Sequence, residues 1–337
     1  MREMVRYDRS VTSHFVRRAM AGVVAFLVST GGGLGATDHP VGGWDEGTVG
    51  SELHKLVEAL AVNIGPRSYR DPANLDAAAD FVSNRLAALG YPVTEQSYQA
   101  EGLPVRNIIA ERRGTEEPDR VIVVGAHYDT VVGSPGADDN ASGVAVLLEL
   151  ARLHAATRFR KTVRFVGFTL EEPPFFRSRH MGSRVYVQAL KERDERIEAM
   201  LCLESVGYYS QEPGSQSFPW PLFWLSWRYP TTGNFLTIVS NADSRTLREH
   251  VRDVLTSRMA LPVETYTGHW WVPGVDWSDH GSFWNEGYPA VMLTDTALFR
   301  NPHYHSPSDL PEGLDYRAMA ELVGGLGLSL TSLDEQR

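Results

Sequence analysis

Residues 121–143 read VIVVGAHYDTVVGSPGADDNASG. The run from Val121 to His127 is apolar and β-branched until it reaches Gly125-Ala126-His127, the pattern of a strand buried on both faces. Such a strand carries His127 to its carboxyl end, the edge at which open α/β sheets build their sites. Asp129 lies two residues on, and Asp139 stands inside Ala137-Asp138-Asp139-Asn140-Ala141-Ser142-Gly143, just before a helix expected from Val144. Capping of that helix accounts for one aspartate but not for the pair together with an imidazole. The stretch points to a metal site that the rest of the chain has to complete.

Downstream, a helix over Val144–Ala156 and a strand over Thr162–Thr169 complete a βαβ crossover, so the fold class is α/β, a mainly parallel (mixed) central sheet with helices on both faces. That second strand runs into Leu170-Glu171-Glu172-Pro173-Pro174. Successive side chains of an extended chain diverge, so one carboxylate can bind a metal while its neighbour handles a proton. The next apolar strand, Met200–Leu203, ends in Glu204. Three core strands therefore bring acidic or imidazole groups to one edge.

Upstream, apolar residues at helical spacing predict helices over 46–63, stopped by Gly65-Pro66, and from Leu75 to Gly90. Extended segments at 92–98 and 106–111 and a polar turn at 113–120 lead into the strand that carries His127. Further on come strands at 236–240 and 290–293, a helix at 245–255, one opened by Asp276–His280 and a closing helix from Asp315. Residues 211–230, with the run FPWPLFWLSWRYP, read as a surface insertion or a packed lid, serving as a substrate-pocket wall or as a plain structural loop.

The chain has 337 residues, and its net charge of −10 argues against nucleic acid or an anionic membrane surface as partner. Cys202 is the only cysteine and lies in an apolar run, so it reads as a small core residue. Residues 1–36 place arginines before the short apolar run 19–28 and small residues after it, the order of a secretory signal peptide. The run is too short for a comfortable stable span. The expectation is export to a periplasmic or extracellular space, with an N-terminal membrane tether as the alternative, and a single catalytic domain over residues 37–337.

The candidate ligands are His127, Asp139, Glu172, Glu204 and His305, with Glu171 beside them. Two imidazoles and three carboxylates suit zinc or a similar borderline ion better than calcium. Five ligands exceed one tetrahedral shell but serve two ions, roughly 3.5–4 Å apart, if one carboxylate bridges.

These motifs, Gly-Ala-His127-Tyr-Asp129-Thr, Gly-Ala-Asp138-Asp139-Asn-Ala-Ser-Gly, Glu171-Glu172 with Met181-Gly182-Ser183, Ser278-Asp279-His280 and His305-Ser-Pro-Ser-Asp309, resemble metallopeptidase family 28. That family comprises co-catalytic zinc aminopeptidases and also glutamate carboxypeptidase II and glutaminyl cyclase. The resemblance implies two Zn2+ ions and a peptide substrate. It makes Asp139 the bridging ligand, with His127 and Glu204 completing one shell and Glu172 and His305 the other. Glu171 would be the general acid/base, and Asp129 would orient His127. A cis peptide bond is expected between Asp138 and Asp139. Glu204 replaces the Asp of the best-known relatives, and the turn after Glu172 carries extra residues, among them Arg177, Arg179 and His180. His269, His280 and His303 are left to structural or supporting roles. An aminopeptidase is the first reading; a carboxypeptidase, a single-zinc glutaminyl cyclase and a non-catalytic binding domain are the alternatives.

Overall fold

The computed structural model describes residues 45–220, 222–268 and 272–336. The signal-like segment 1–36 and His269 lie outside them. Eight strands form one sheet, in the order β1 (Val93–Ala100), β2 (Leu103–Arg112), β4 (Lys161–Phe168), β3 (Glu117–His127), β5 (Arg196–Leu203), β8 (Ala290–Thr294), β6 (Leu236–Ser240) and β7 (Val263–Thr267). Parallel pairing joins β4, β3, β5 and β8, and also β6 to β7; the β1–β2, β2–β4 and β6–β8 pairs are antiparallel. The sheet is thus mixed, with its parallel centre where the sequence puts it.

Alternation along β3 shows how the layers are built. Ile122 and Val124 face a core shared with helices α1 (Glu46–Glu58), α2 (Pro72–Ala88), α3 (Gly143–Leu153), α5 (Arg245–Thr256) and α7 (Tyr316–Glu335). Val121 and Val123 face the opposite core, beneath α4 (Gly182–Glu192) and α6 (His280–Asn285). Cys202 is buried in that second core, as expected of a small apolar side chain.

Two boundaries move. Strand β3 starts at Glu117 inside the expected polar turn, with a register irregularity before Val121. A π-helical turn, Ala59–Ile64, prolongs α1 to Gly65. Strand β7 is not among the predicted elements; it pairs with β6 at the sheet's edge. No helix among the described residues is long and apolar enough to cross a membrane.

Candidate metal centre

The three central strands, β4, β3 and β5, are parallel neighbours, so their carboxyl ends open on the same edge. His127 is the last residue of β3, Glu171 and Glu172 follow β4, and Glu204 follows β5. Asp139 comes from the turn between β3 and α3. Gly136 initiates that turn at φ +60°, and a Cβ there would meet the Asp139 carbonyl oxygen at 2.3 Å. His305 arrives from the turn before α7, its ring stacked on Tyr304 at 3.8 Å.

These side chains converge. His127 Nε2 lies 3.2 Å from Asp139 Oδ1 and 3.3 Å from Glu204 Oε2. His305 Nε2 lies 3.1 Å from Asp139 Oδ2 and 3.2 Å from Glu172 Oε2. In each triad, His127–Asp139–Glu204 and Asp139–Glu172–His305, the donor atoms lie within 4.8 Å of one another. Asp139 belongs to both and offers one oxygen to each.

Proximity has not produced hydrogen bonds. His127 Nε2, Asp139 Oδ2 and Glu172 Oε1 are buried without an aligned partner among the described residues. Buried polar atoms normally find one. Unpaired donors aimed at common points, from imidazole and carboxylate groups, fit a borderline divalent cation such as zinc. The His127 Nδ1 atom stands 3.2 Å from the Asp129 carbonyl oxygen, so a proton there leaves the Nε2 lone pair free to face the triad.

Charge crowding is equally plain. Burial alone would depress the His127 imidazole, but Glu204, Asp129 and Asp139 push it well above its ordinary value. Burial likewise opposes the Asp139 charge, and the two histidines overcome it, holding its carboxyl below the usual range. Glu172 is pushed up to about 8 by burial and by Asp139. Glu171 goes well above its ordinary value, mainly through burial, with His127 pulling the other way. His305 is raised to about 10 because Asp139 and Glu172 outweigh its burial.

Asp129 touches more than the imidazole it is expected to orient. Its carboxylate accepts the backbone N–H groups of Glu171 and Glu172, both at 3.1 Å, and stands 3.5 Å from His127 Nδ1. It holds the main chain beneath the two glutamates at least as directly as it orients the imidazole. Asp309 repeats the device, accepting from Asp138 N at 2.9 Å and Asp139 N at 3.1 Å. Asp309 stands in a motif noticed in sequence, but its role was not legible there. Nothing in the sequence marks Arg67: fully buried, it donates to the carbonyls of Leu60, Gly65, Tyr128, Pro135 and Gly136, tying the loops behind the site.

The cis bond expected between Asp138 and Asp139 is instead the next one, Asp139–Asn140. Asp138 turns away from the cluster, accepting from Asn301 Nδ2 at 2.8 Å and Gly207 N at 3.0 Å. The stance of Asp139 between the two histidines therefore rests on its distances to them and not on the Asp138–Asp139 bond. Glu204, one methylene longer than Asp, is steadied by the Ser278 hydroxyl, which donates to Oε2 at 2.6 Å.

Among the residues around the added turn, Arg177 pairs with Asp276 and Arg179 with His180. Phe175 packs into the core against Tyr69. His280 is buried and donates from Nε2 to the Val275 carbonyl at 2.8 Å, while His303 bonds Ser308 within its own turn.

Residues 107–324 match the family model described as peptidase family M28. The Escherichia coli (strain K12) uncharacterized protein YfbL is 38% identical over 283 residues, spanning 82% of this chain and 85% of its own. A probable leucine aminopeptidase of Trichophyton verrucosum (strain HKI 0517) is 29% identical over 64% of this chain; the chain spans only 54% of that relative. In structure, the zinc aminopeptidase BSAP of Bacillus subtilis superimposes with a TM-score of 0.68 over 84% of this chain and 94% of its own, at 16% identity.

Proposed function

Because the chain belongs to peptidase family M28, a metallopeptidase family, we propose that it is an exported di-zinc aminopeptidase that removes N-terminal residues from peptides. The observation that carries this reading is the pair of triads sharing Asp139, with the buried carboxylate of Glu171 outside both. His127 and Glu204 would hold one ion, Glu172 and His305 the other, and Asp139 both. Bound there, the two ions supply Lewis-acid polarisation of the scissile carbonyl and activation of a water.

The protein's own share is positional and protonic. Asp129 and Asp309 fix the main chain beneath the ligands, so the carboxylates meet the ions without reorganising. Glu171 takes the proton from the attacking water and returns it to the leaving amine. Its burial excludes competing solvent, and its main-chain grip by Asp129 keeps it beside the triads. Export is supported by the basic, apolar and small-residue order of residues 1–36.

The test is mass spectrometry of a peptide mixture incubated with the zinc-loaded protein. The mixture contains free and acetylated N-termini, amidated C-termini and an N-terminal glutamine. Loss of N-terminal residues from unblocked peptides only is the expected result. Trimming from the C-terminus, or loss of ammonia from the glutamine peptide, replaces the reaction while leaving the site in place.

A further inference from the structure

Beside the triads opens a recess, lined at one end by the ligand Glu204 and by Tyr304, neighbour of the ligand His305. Its floor is the face of β8, β6 and β7, and the strand register orders the side chains there in two rows. Thr294, Thr237 and Glu264 stand abreast, and Met292, Val239 and Tyr266 form the parallel row below. Phe218, Pro219, Leu225 and Tyr229 of the aromatic insertion supply part of its wall. The insertion is thus a pocket wall at its inner side, while Trp220 and Trp227 stay on the surface.

The recess has a volume of about 130 Å³. That is close to the ~150 Å³ apolar cavity known to admit a benzene ring. The space is not uniformly apolar. Thr237 is buried, and its hydroxyl has no hydrogen-bond partner among the described residues. It lies two strands from the strand carrying Glu204, about 10 Å at the usual ~4.8 Å inter-strand spacing. A side chain extended from a carbonyl held at the triads meets it with its tip.

Resting on the aminopeptidase reading above, we propose that the recess selects an N-terminal tyrosine over phenylalanine, the ring filling the space beneath the insertion and the phenolic hydroxyl pairing with Thr237. Phenylalanine fills the same volume but leaves the Thr237 hydroxyl buried and unpaired. A site built around such a hydroxyl discriminates against the analogue that lacks it more strongly than a wholly apolar pocket can.

The zinc-loaded full chain is assayed on peptides beginning with Tyr, Phe, Lys and Ala. In parallel, the binding of free tyrosine and phenylalanine is measured by calorimetry. The expected result is a kcat/KM about tenfold higher for Tyr than for Phe, with both above Lys and Ala, and tighter binding of tyrosine. Thr237→Val should bring both Tyr-to-Phe ratios towards one, whereas Thr237→Ser, which keeps the hydroxyl, should retain the preference. If Thr237→Val does not fold, the wild-type and Thr237→Ser ratios decide. Phenylalanine equal to or better than tyrosine in both readouts overturns the proposal, as does fastest turnover of Lys or a ratio unchanged in Thr237→Val. Tighter tyrosine binding without turnover of any peptide overturns the hydrolase reading and keeps the pocket. Turnover without tyrosine preference does the reverse, and failure of both readouts overturns both.

Discussion

The two ends of strand β4 both bury charge, and they treat it in opposite ways. At the start, Lys161 is fully buried, and its ammonium donates to the carbonyls of Leu333 and Gln336 at 2.7 and 2.8 Å. Asp334 accepts the N–H groups of Arg160 and Lys161 at 2.9 and 2.7 Å beside it. At the far end, Glu172 Oε1 has no partner among the described residues, and the carboxylates crowd histidines without forming aligned bonds. The first end is finished by the fold alone. The second is finished only by something from outside, which is what separates a structural buried charge from a ligand site.

The largest expected contrast is in turnover. Glu171→Ala should cut kcat by about 10²–10⁴ with zinc content unchanged, since the residue is read as a proton carrier and not a ligand. Loss of metal along with activity would exchange the roles of Glu171 and Glu172. Steady-state kinetics beside elemental analysis reads both.

At the other end of the strand the effect belongs to stability. Lys161→Met leaves the Leu333 and Gln336 carbonyls without their donor and should lower the unfolding free energy by about 1–3 kcal/mol in denaturant titrations. Bound zinc should not change. A drop in metal content would mean that the two ends are coupled and the contrast is false.

The smallest effect is read by its sign. The Glu172 carboxyl moves from 4.5 to about 8 and the His305 imidazole from 6.5 to about 10. Both groups hold their protons more tightly folded than unfolded. The stability they contribute is present at low pH and is lost as pH rises from about 5 to about 10. Metal binding has the opposite slope, because these ligands must shed protons to bind. Melting temperatures at pH 6 and pH 8.5 should therefore fall for chelator-treated protein and rise relative to it for zinc-loaded protein. Equal slopes would remove the cluster as the source of the difference.

Sequence disclosed the ligand end of the sheet for a physical reason. Metal chemistry admits few residue types, and His127 and Glu204 each come directly after an apolar run, Val121–Ala126 and Ala199–Leu203, that fixes where they emerge. What it hid is non-local or marginal. Arg67 stands between Pro66 and Ser68 with nothing to mark it, because its carbonyl partners extend to Gly136 and meet only in the folded chain. Strand β7, Val263–Thr267, is half-exposed along its length, so it lacks the apolar run that announces a buried strand. The recess is likewise invisible beforehand: its rows exist only once β6 runs antiparallel to β8 and parallel to β7.

Asp129 and Asp309 each grasp two successive main-chain N–H groups, and neither grasps a ligand side chain by those bonds. That main-chain grip is therefore blind to which side chains stand at positions 171, 172 and 139. Substitutions there alter the chemistry without loosening the sockets that present it. A lineage built on such sockets can drift from one reaction to another by point changes, with the architecture carried along intact.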